Sequence, residues 1–269
     1  MDVLVTGTRS GLGRYLAEFF GAICVSREKP VELVLNSINK PLDAIIHCAA
    51  NNLRDVSSRN LAAYLDDNIF LTEKIIRIPH RVFVLVSTIG VYPPSDAVHT
   101  EDDELWIDNL NGAYNITKLM SEAIVRDRCP HHLILRPTAM LGPYSRASSL
   151  IRILTEENSQ LTLTGNSEFN YILHKDVARF IRTCLQKQIL GTFNLASADK
   201  VRLDEIMCHY QRRAYFGSYH YQIGTIDNSK AKAIWSAFGK KSETIIEEYI
   251  DAFLNMSQTS ASRTTTLEP

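Results

Sequence analysis

Three side chains in this sequence have the types and spacing needed to move a proton at a carbon-bound oxygen. Tyr114 and Lys118 are four residues apart, which places them on one face of a helix. A phenol with an ordinary pKa of about 10 is a poor base at neutral pH, but a neighbouring ammonium lowers that pKa. Thr88 follows the predicted fifth strand, residues 82–86, where its hydroxyl can reach the same substrate oxygen. Together they predict acid–base catalysis at a carbinol or carbonyl carbon.

These residues also have purely structural interpretations. The chain contains 11 tyrosines, so one Tyr-x-x-x-Lys pair also arises by chance. A threonine at the end of a strand commonly satisfies loop backbone groups instead. The three side chains therefore indicate catalysis only if a cofactor site accompanies them.

A glycine-rich turn at the start of the chain predicts that cofactor site. Gly7, Gly11 and Gly13 follow the first predicted strand and open a predicted helix. Glycines permit a tight turn and a close approach of the backbone to a pyrophosphate, and the helix N-terminus adds unpaired N–H groups. The arrangement is typical of dinucleotide binding, although an ordinary glycine-rich strand–helix turn would look alike.

The end of the second predicted strand indicates which dinucleotide is bound. An acidic residue there would bind the ribose hydroxyls of NAD. The chain has Ser26 and Arg27 instead, and Arg9 lies inside the glycine turn. Because arginine binds phosphate bidentately, these residues favour the 2′-phosphate of NADP over NAD. The alternative is that Arg27 is a solvated surface residue.

The elements that must position these residues alternate between strands and helices. The apolar runs lack a strict polar alternation, as expected for strands buried on both faces of a parallel sheet. Strands are predicted at 3–5, 23–25, 31–35, 44–47, 82–86 and 133–135, with helical patterns from residue 12 and over 61–76 and 114–125. This order predicts an α/β fold with a doubly wound parallel Rossmann sheet that binds its ligand at the carboxyl ends of the strands.

After Pro137 the regularity weakens, which predicts a second unit. We expect residues 1–137 to form the dinucleotide-binding domain, with 172–196 returning to it, and 138–254 to form a small C-terminal substrate-binding lobe. Helices are predicted over 150–154, 177–185, 203–210 and 245–254, with a short strand at 193–195. Residues 255–269 are rich in Ser and Thr, so we expect a disordered tail there.

The composition excludes several classes of function. The 269 residues are 45% hydrophobic and carry a net charge of −1, so no basic surface favours nucleic acid or an anionic membrane as a partner. The longest apolar runs are far shorter than a bilayer span. Five cysteines without a Cys-x-x-Cys pair, and a start that enters a strand directly, indicate a reduced cytoplasmic protein without a signal peptide. His131 and His132 lack a third ligand at a suitable spacing, so no metal site is expected.

In their order, these motifs resemble those of the extended short-chain dehydrogenase/reductases, the NAD-dependent epimerase/dehydratase family. The resemblance covers about residues 1–200. The family pattern Ser-Ser/Thr-x-x-Val-Tyr matches residues 87–92, which makes Thr88 the catalytic hydroxyl, and Tyr-x-x-x-Lys falls on Tyr114 and Lys118. In that family a His-x-Ala-Ala segment, here 47–50, lines the cofactor, and Leu-Arg-Pro, here 135–137, resembles the stretch that contacts the nicotinamide.

The glycine turn, the end of the second strand and the resemblance together predict one set of cofactor-binding residues. They are Gly7, Arg9, Ser10, Gly11, Leu12, Gly13, Ser26, Arg27, Asn36, Cys48, Ala49, Ala50, Asn51, Asn68, Tyr114, Lys118, Pro137 and Thr138. The predicted catalytic residues are Thr88, Tyr114 and Lys118. Lys118 is expected both to hold the cofactor ribose and to lower the pKa of Tyr114.

Two departures from the family pattern concern the substrate. Many nucleotide-sugar epimerases place an arginine before an Asp-Phe-Ile-His segment, where it binds the diphosphate of the substrate, and the matching residue here is Phe169. An asparagine often found three residues after the Leu-Arg arginine is matched by Ala139. Arg146, Arg152 or Lys175 could substitute for these anchors.

The resulting prediction is an NADP-dependent oxidoreductase, foremost a keto-sugar reductase whose small-molecule substrate is a sugar or sugar nucleotide. Arg9 and Arg27 favour NADP, and NADP favours net reduction. The alternative is a nucleotide-sugar epimerase or dehydratase that retains and recycles its NAD(P). A second alternative is a non-catalytic NADP-binding sensor on the same fold. Because the equivalent helices pair across a dimer in this family, the helices at 61–76 and 114–125 predict a homodimer.

Overall fold

A computed structural model of the chain describes residues 1–35, 38–222 and 224–254. The predicted cofactor residue Asn36 and the predicted disordered tail at 255–269 lie outside the described residues. Within the described ranges, no helix is long and apolar enough to cross a membrane. Over the same ranges, no three His, Cys, Asp or Glu side chains are grouped as a metal site.

A parallel sheet forms the centre of the fold. The strands are β1 (Val3–Thr6), β2 (Ile23–Val25), β3 (Leu42–His47), β4 (His80–Val86), β5 (Val98–His99), β6 (His132–Pro137), β7 (Ala139–Leu141), β8 (Ser159–Gln160), β9 (Glu168–Phe169), β10 (Tyr171–Leu173), β11 (Gly191–Leu195), β12 (Val201–Arg202), β13 (Ala214–Tyr215) and β14 (Thr225–Ile226). In the described part of the chain, six of them form one parallel sheet in the order β11-β6-β4-β3-β1-β2. The predicted doubly wound α/β fold is confirmed.

Helices follow most of the sheet strands. They are α1 (Gly11–Phe20), α2 (Val31–Leu35), α3 (Leu61–Leu65), α4 (Leu71–Ile76), α5 (Ala113–Arg128), α6 (Ser149–Thr155), α7 (His174–Lys187), α8 (Leu203–His209), α9 (Ser229–Ile234) and α10 (Ser242–Tyr249). A π-helical turn, Asp66–Phe70, joins α3 to α4, so the helix predicted over 61–76 is continuous but not uniform.

The segment 31–35, expected to be a strand, is the helix α2. Val31 and Val34 are buried, whereas the two residues between them are exposed, which is a helical pattern. A run this short does not distinguish a buried strand from a helix by periodicity alone. As a result, Thr88 follows the fourth strand of the chain, β4, and not a fifth.

Alternate residues of the central strands face two separate hydrophobic cores. On one face, Val5 of β1 packs in a core with Leu16 of α1 and Phe180 of α7. On the other face, Leu4 of β1 shares a core with Ile75 of α4. This burial on both faces explains why the strands lack polar alternation in the sequence.

The part of the chain after residue 137 contributes to more than one core. Leu150, Leu203 and Ile246 are buried in a third core, which α6, α8 and α10 share. In contrast, β11 pairs with β6 in the main sheet. Ala231 of α9 and Phe238 pack in the same core as α1. Residues after 137 therefore contribute both to a third hydrophobic core and to one side of the central sheet.

A buried hydrogen-bond chain at His47 ties β1 to the loop that follows β3. The Thr6 hydroxyl accepts from the backbone N–H groups of Cys48 (3.1 Å) and Ala49 (3.0 Å). Its own proton is therefore donated to His47 Nδ1, at 2.8 Å. The end of β1 and the segment 47–49 are thus held together through a single hydroxyl.

The same chain continues from His47 into the helical segment that follows. Because His47 Nδ1 accepts, Nε2 carries the ring proton and donates to the Thr72 hydroxyl at 3.0 Å. Thr72 in turn donates to the carbonyl of Asn68 at 3.0 Å. Every polar atom of the neutral imidazole is satisfied. Burial, reinforced by the charge of Lys118, lowers the pKa of His47 to about 3.

Acid should destabilise the fold through His47. Its folded-state pKa of about 3 lies below the unfolded value, so the unfolded chain takes up the proton first. The contribution is complete above about pH 6.5 and is lost as the pH falls towards the folded-state value. We expect His47→Gln to remove about 2 kcal/mol of the decrease in unfolding free energy between pH 7 and pH 5, measured by urea unfolding. His131→Gln, at an exposed position, should keep the wild-type pH dependence, and an unchanged slope in His47→Gln would contradict the assignment.

Candidate active site

The glycine turn between β1 and α1 forms a cradle that only glycine fits. Gly7 and Gly11 have φ angles of 74° and 58°, in the left-handed region. A Cβ on Gly7 would lie 2.8 Å from the Ala49 nitrogen, and one on Gly13 would lie 2.4 Å from the Gly7 oxygen. The helix α1 starts directly after Ser10, whose side chain makes no capping hydrogen bond. Closely approached backbone and the start of a helix fit the pyrophosphate of a dinucleotide.

The loop that follows β7 crosses this glycine cradle. The Gly11 N–H donates to the carbonyl of Tyr144 at 2.8 Å. The exposed guanidinium of Arg146 donates to the Ser10 hydroxyl at 3.2 Å and to the Asn52 side-chain oxygen at 3.4 Å. Within the described ranges, Arg146 forms hydrogen bonds only to neutral groups. A cation without a carboxylate partner therefore lies over the start of α1.

The two arginines predicted to bind a 2′-phosphate are both paired with carboxylates. Arg27 lies 2.6 Å from Asp67, and Arg9 lies 3.2 Å from Glu28. The Ser26 hydroxyl accepts from the backbone N–H three residues further on, at 3.2 Å. The predicted residues are near one another at the end of β2, but their positive charges are already balanced.

The loop after β3 is held in place by Asn68 of the π-helical turn. Asn68 Oδ1 accepts from the Asn51 N–H at 2.6 Å, and Asn68 Nδ2 donates to the Asn51 carbonyl at 2.9 Å. The loop residues Cys48, Ala49 and Ala50 are half-buried beside the glycine cradle. Burial raises the pKa of the Cys48 thiol to about 12, so this cysteine is not a nucleophile at neutral pH.

The loop that carries Thr88 packs against the helix that carries Tyr114. The Thr88 hydroxyl accepts from the Gly90 N–H at 3.1 Å. A Cβ on Gly90 would lie 2.2 Å from the side-chain oxygen of Asn115. The missing side chain at Gly90 therefore lets this loop reach the first turn of α5, next to Tyr114.

Lys118 is buried between β4 and the Tyr114 ring. Its Nζ donates to the Val86 carbonyl at 2.7 Å and lies 5.8 Å from the centre of the ring. Burial lowers the pKa of Lys118 to about 8, so its ammonium form still predominates at neutral pH. A positive charge is thus held beside the phenol of Tyr114.

The pKa of Tyr114 differs from the sequence-based prediction. Burial, reinforced by the phenol of Tyr64 and opposed by Arg146, raises the pKa of Tyr114 to about 12. In the cofactor-free protein this shift is opposite in direction to the one expected for Tyr114 beside Lys118 and a positive nicotinamide. The Lys118 ammonium is bonded to the Val86 carbonyl, and burial of the phenol is the largest cause of the raised pKa of Tyr114. At neutral pH Tyr114 is a protonated phenol.

A buried carboxylate that the sequence analysis missed supports this site. Glu122 lies one helical turn beyond Lys118 on the same face of α5, and it is fully buried. It accepts from Arg136 Nε (3.1 Å) and Nη2 (2.8 Å). It also accepts from Arg126 Nη2 (2.7 Å) and from the Ser87 hydroxyl (2.5 Å). The i, i+4, i+8 spacing of residues 114, 118 and 122 is the sequence pattern from which Glu122 could have been predicted.

Glu122 and its three partner side chains form a cluster that adjoins the predicted site residues. Ser87 precedes Thr88 in the chain, and Arg136 precedes Pro137. Pro137 and Thr138 are buried, and the Thr138 hydroxyl donates to the side-chain oxygen of a buried asparagine at 2.9 Å. The cluster therefore joins the ends of β4 and β6 to α5.

A comparison with known families identifies the chain's relatives. The profile described as the NAD dependent epimerase/dehydratase family matches residues 3–196. The chain belongs to this family. The predicted family and the prediction of a nicotinamide-dependent enzyme are thereby confirmed.

Solved structures with this fold align with nearly the whole of this epimerase/dehydratase family member. MoeE5 in complex with UDP-glucuronic acid and NAD is 21% identical, with 97% of this chain and 100% of that chain covered and a TM-score of 0.75. UDP-glucuronic acid 4-epimerase from Bacillus cereus, in complex with UDP-glucuronic acid and NAD, is 18% identical, with coverage of 95% and 100% and a TM-score of 0.74. A dTDP-4-dehydrorhamnose reductase from Clostridium acetobutylicum is 18% identical, with coverage of 93% and 99% and a TM-score of 0.75. At these identities the likeness shows a shared fold.

The possible anion anchors of this family member differ in their partners. Phe169 stacks on Tyr221 with ring centres 4.8 Å apart, so it takes part in an aromatic cluster. Lys175 is paired with a glutamate at 2.8 Å, and Arg152 with another at 2.9 Å. Of the three cations considered from the sequence, Arg146 alone bonds only to neutral groups in the described structure.

Removing the charge of Glu122 should strongly destabilise the fold. Glu122→Gln leaves the buried Arg136 guanidinium without its counter-charge, which typically costs about 3–5 kcal/mol. Urea unfolding would measure this difference. The matched control is Glu156→Gln, which breaks an i, i+4 pair near the surface and should cost less than about 1 kcal/mol. Equally small effects in both variants would show that the buried cluster contributes little.

Proposed function

We propose that the protein is a nucleotide-sugar epimerase, which oxidises and re-reduces one carbinol carbon with a retained nicotinamide cofactor. The observation that supports this most is the contact between the Thr88 loop and the helix of Tyr114 and Lys118. The Thr88 loop follows the carboxyl end of β4, and the glycine cradle follows the carboxyl end of β1 in the same parallel sheet. Two structures of the same fold hold a UDP-sugar together with NAD, which also supports the proposal.

In this proposal the chain's own residues handle the proton, while a bound nicotinamide supplies hydride transfer. The Thr88 hydroxyl and the Tyr114 phenol bind the substrate oxygen, and Tyr114 exchanges its proton with that oxygen. The protonated phenol of the free protein can donate directly in the reducing direction. In the oxidising direction, the nearby charge of Lys118 stabilises the phenolate. Orientation by the rigid Glu122 cluster keeps these groups in place.

We further propose that Arg146 binds the anionic part of the substrate. Phe169 and Ala139 offer no charge at the positions where related epimerases have polar anchors. The exposed Arg146 guanidinium has neutral partners, and its charge acts on Tyr114, whose pKa it lowers against the effect of burial. Arginine binds phosphate bidentately. The proposed substrate is therefore a sugar linked to a nucleoside diphosphate.

A second candidate function is an NADPH-dependent keto-sugar reductase, which the sequence analysis ranked first. The presence of Arg9 and Arg27 near the end of β2 favours it, since both suit a 2′-phosphate. The family match does not distinguish it from an epimerase. A dTDP-4-dehydrorhamnose reductase is among the structures of similar fold. We rank the epimerase first because the UDP-sugar complexes contain NAD.

We also propose a cytoplasmic homodimer. All five cysteines are free thiols, which is typical of a reducing compartment. The helical segment 61–76 exposes Leu61 and Phe70, and α5 exposes Met120, with 45%, 53% and 41% of their surfaces accessible. Apolar surface on these helices supports pairing with a second copy. Light scattering at micromolar concentration measures the oligomeric state.

The nucleotide released when freshly purified protein is denatured distinguishes the two candidate functions. An epimerase that recycles its cofactor should release NAD or NADP in nearly equimolar amount. A protein that is purified empty, and then binds NADPH more tightly than NADH, would contradict the epimerase and favour the reductase.

Tyr114→Phe should abolish the proton transfer and leave the cofactor site intact. We expect turnover to fall by about 10²- to 10⁴-fold, since this is the usual contribution of a positioned acid or base. Cofactor affinity, measured by fluorescence titration with NADH and NADPH, should change by less than about twofold. Tyr219→Phe, at an exposed position, is the matched control. Turnover like that of the wild type in Tyr114→Phe would exclude Tyr114 from the mechanism.

Arg146→Ala should weaken the binding of a nucleotide-diphosphate sugar. The loss of a charge-assisted contact should raise KM by about 10- to 100-fold while the dissociation constant of the cofactor stays constant. Arg152→Ala, which removes an arginine already paired with a carboxylate, should leave both constants near their wild-type values. An increase in the cofactor dissociation constant with an unchanged KM would show that Arg146 serves the cofactor instead.

A further inference from the structure

The predicted phosphate-binding residue Arg27 is held by a carboxylate from a distant part of the chain. Arg27 follows β2, and the Val25 carbonyl of that strand accepts from the Gly7 N–H at 3.0 Å. Arg27 is therefore attached beside the glycine cradle. Its Nη2 donates to Asp67 Oδ2 at 2.6 Å, and the same oxygen accepts from the Asn51 side-chain amide at 2.9 Å. One oxygen of Asp67 thus links two residues at the predicted cofactor edge.

The π-helical turn places Asp67 at this edge. Asp67 and Asn68 are adjacent, and the side chains of both bind Asn51. The Asp67 carboxylate accepts from the Asn51 side-chain amide, whereas the Asn68 side chain binds the Asn51 backbone N–H and carbonyl. The neighbouring Asp66 is exposed, whereas Asp67 is half-buried. Irregular turns of this kind are frequent at functional sites. The turn therefore directs one of two consecutive acids into the site.

Asp67 is the stronger of the two carboxylates that neutralise the arginines. The pair of Arg9 and Glu28 is longer, at 3.2 Å, and its side chains are 60% and 72% exposed. The pair of Arg27 and Asp67 is 2.6 Å long, and its side chains are 69% and 30% exposed, so the difference in exposure lies in the carboxylate. Solvent screens a pair more weakly when its carboxylate is partly buried and the contact is shorter. Asp67 therefore competes with an incoming phosphate for Arg27 more strongly than Glu28 competes for Arg9.

We propose that Asp67 is a specificity-determining residue that lowers the affinity for NADP relative to NAD. A 2′-phosphate and the Asp67 carboxylate need the same guanidinium, so NADP must displace Asp67 or bind next to its negative charge. NAD has no phosphate at that position and leaves the pair of Arg27 and Asp67 intact. The inference rests on the proposed function, because both need a nicotinamide dinucleotide at the glycine cradle.

Titration of the full-length protein with NADPH and NADH, after removal of any nucleotide that co-purifies with it, tests this inference. Nucleotide fluorescence follows the binding. Asp67→Asn removes the charge but keeps an oxygen for the Asn51 amide. The dissociation constant of NADPH should fall by about two- to tenfold, and that of NADH should change by less than about twofold. Asp66→Asn removes the same charge one residue away, at an exposed position. It should leave the ratio of the two constants near its wild-type value.

The Arg27→Gln background separates competition for Arg27 from a general charge effect. In that background Asp67→Asn should no longer change the affinity for NADPH. An equal gain with and without Arg27, or an equal gain in Asp66→Asn, would overturn the role of Asp67. A wild-type protein that binds neither nucleotide would instead overturn the proposed function. Circular dichroism and thermal unfolding of each variant would show that the fold is retained.

Discussion

The geometry of the site depends on the buried ion pair between Glu122 and Arg136. Burying either charge without its partner would destabilise the fold by several kcal/mol. The two side chains must therefore stay in contact. Their partners lie next to site residues: Ser87 precedes Thr88, and Glu122 itself lies one helical turn from Lys118. Hydrogen bonds thereby join the ends of β4 and β6 to α5. The proton transfer that we propose for this site needs such rigidity, because small displacements of the reacting groups cost much of the rate.

Desolvation dominates the electrostatics of the cofactor-free protein. Burial raises the pKa of Tyr114 to about 12 and lowers that of Lys118 to about 8, so both groups are shifted towards their neutral forms. Just after β2, Arg27 is paired with Asp67. Arg146 differs from these because its partners are uncharged. The charges of the site are therefore largely balanced before any ligand binds. The exception is Arg146, which lies over the glycine cradle.

The parts of the fold that the sequence predicts well are those that depend on local spacing. Three glycines between a strand and a helix predict a close backbone approach, and the structure has Gly7 against the loop that starts at Cys48. A four-residue spacing predicts that Tyr114 and Lys118 share a helix face. The segment 31–35 shows the limit of such reasoning, because five residues satisfy both the strand and the helix pattern. Whether this segment forms a helix or a strand depends on which of its residues the rest of the fold buries.

By itself, the sequence determined the doubly wound sheet, the glycine cradle after β1 and the identity of the family, since each depends on residue types at short, regular separations. Only the tertiary structure decided the charge state of the site. Arg27 and Asp67 are 40 residues apart, and Glu122 and Ser87 are 35 apart, so neither pairing follows from local pattern. The direction of the Tyr114 pKa shift was decided in the same way. A pKa depends on the balance between burial and neighbouring charge, and both are set by contacts between distant parts of the chain.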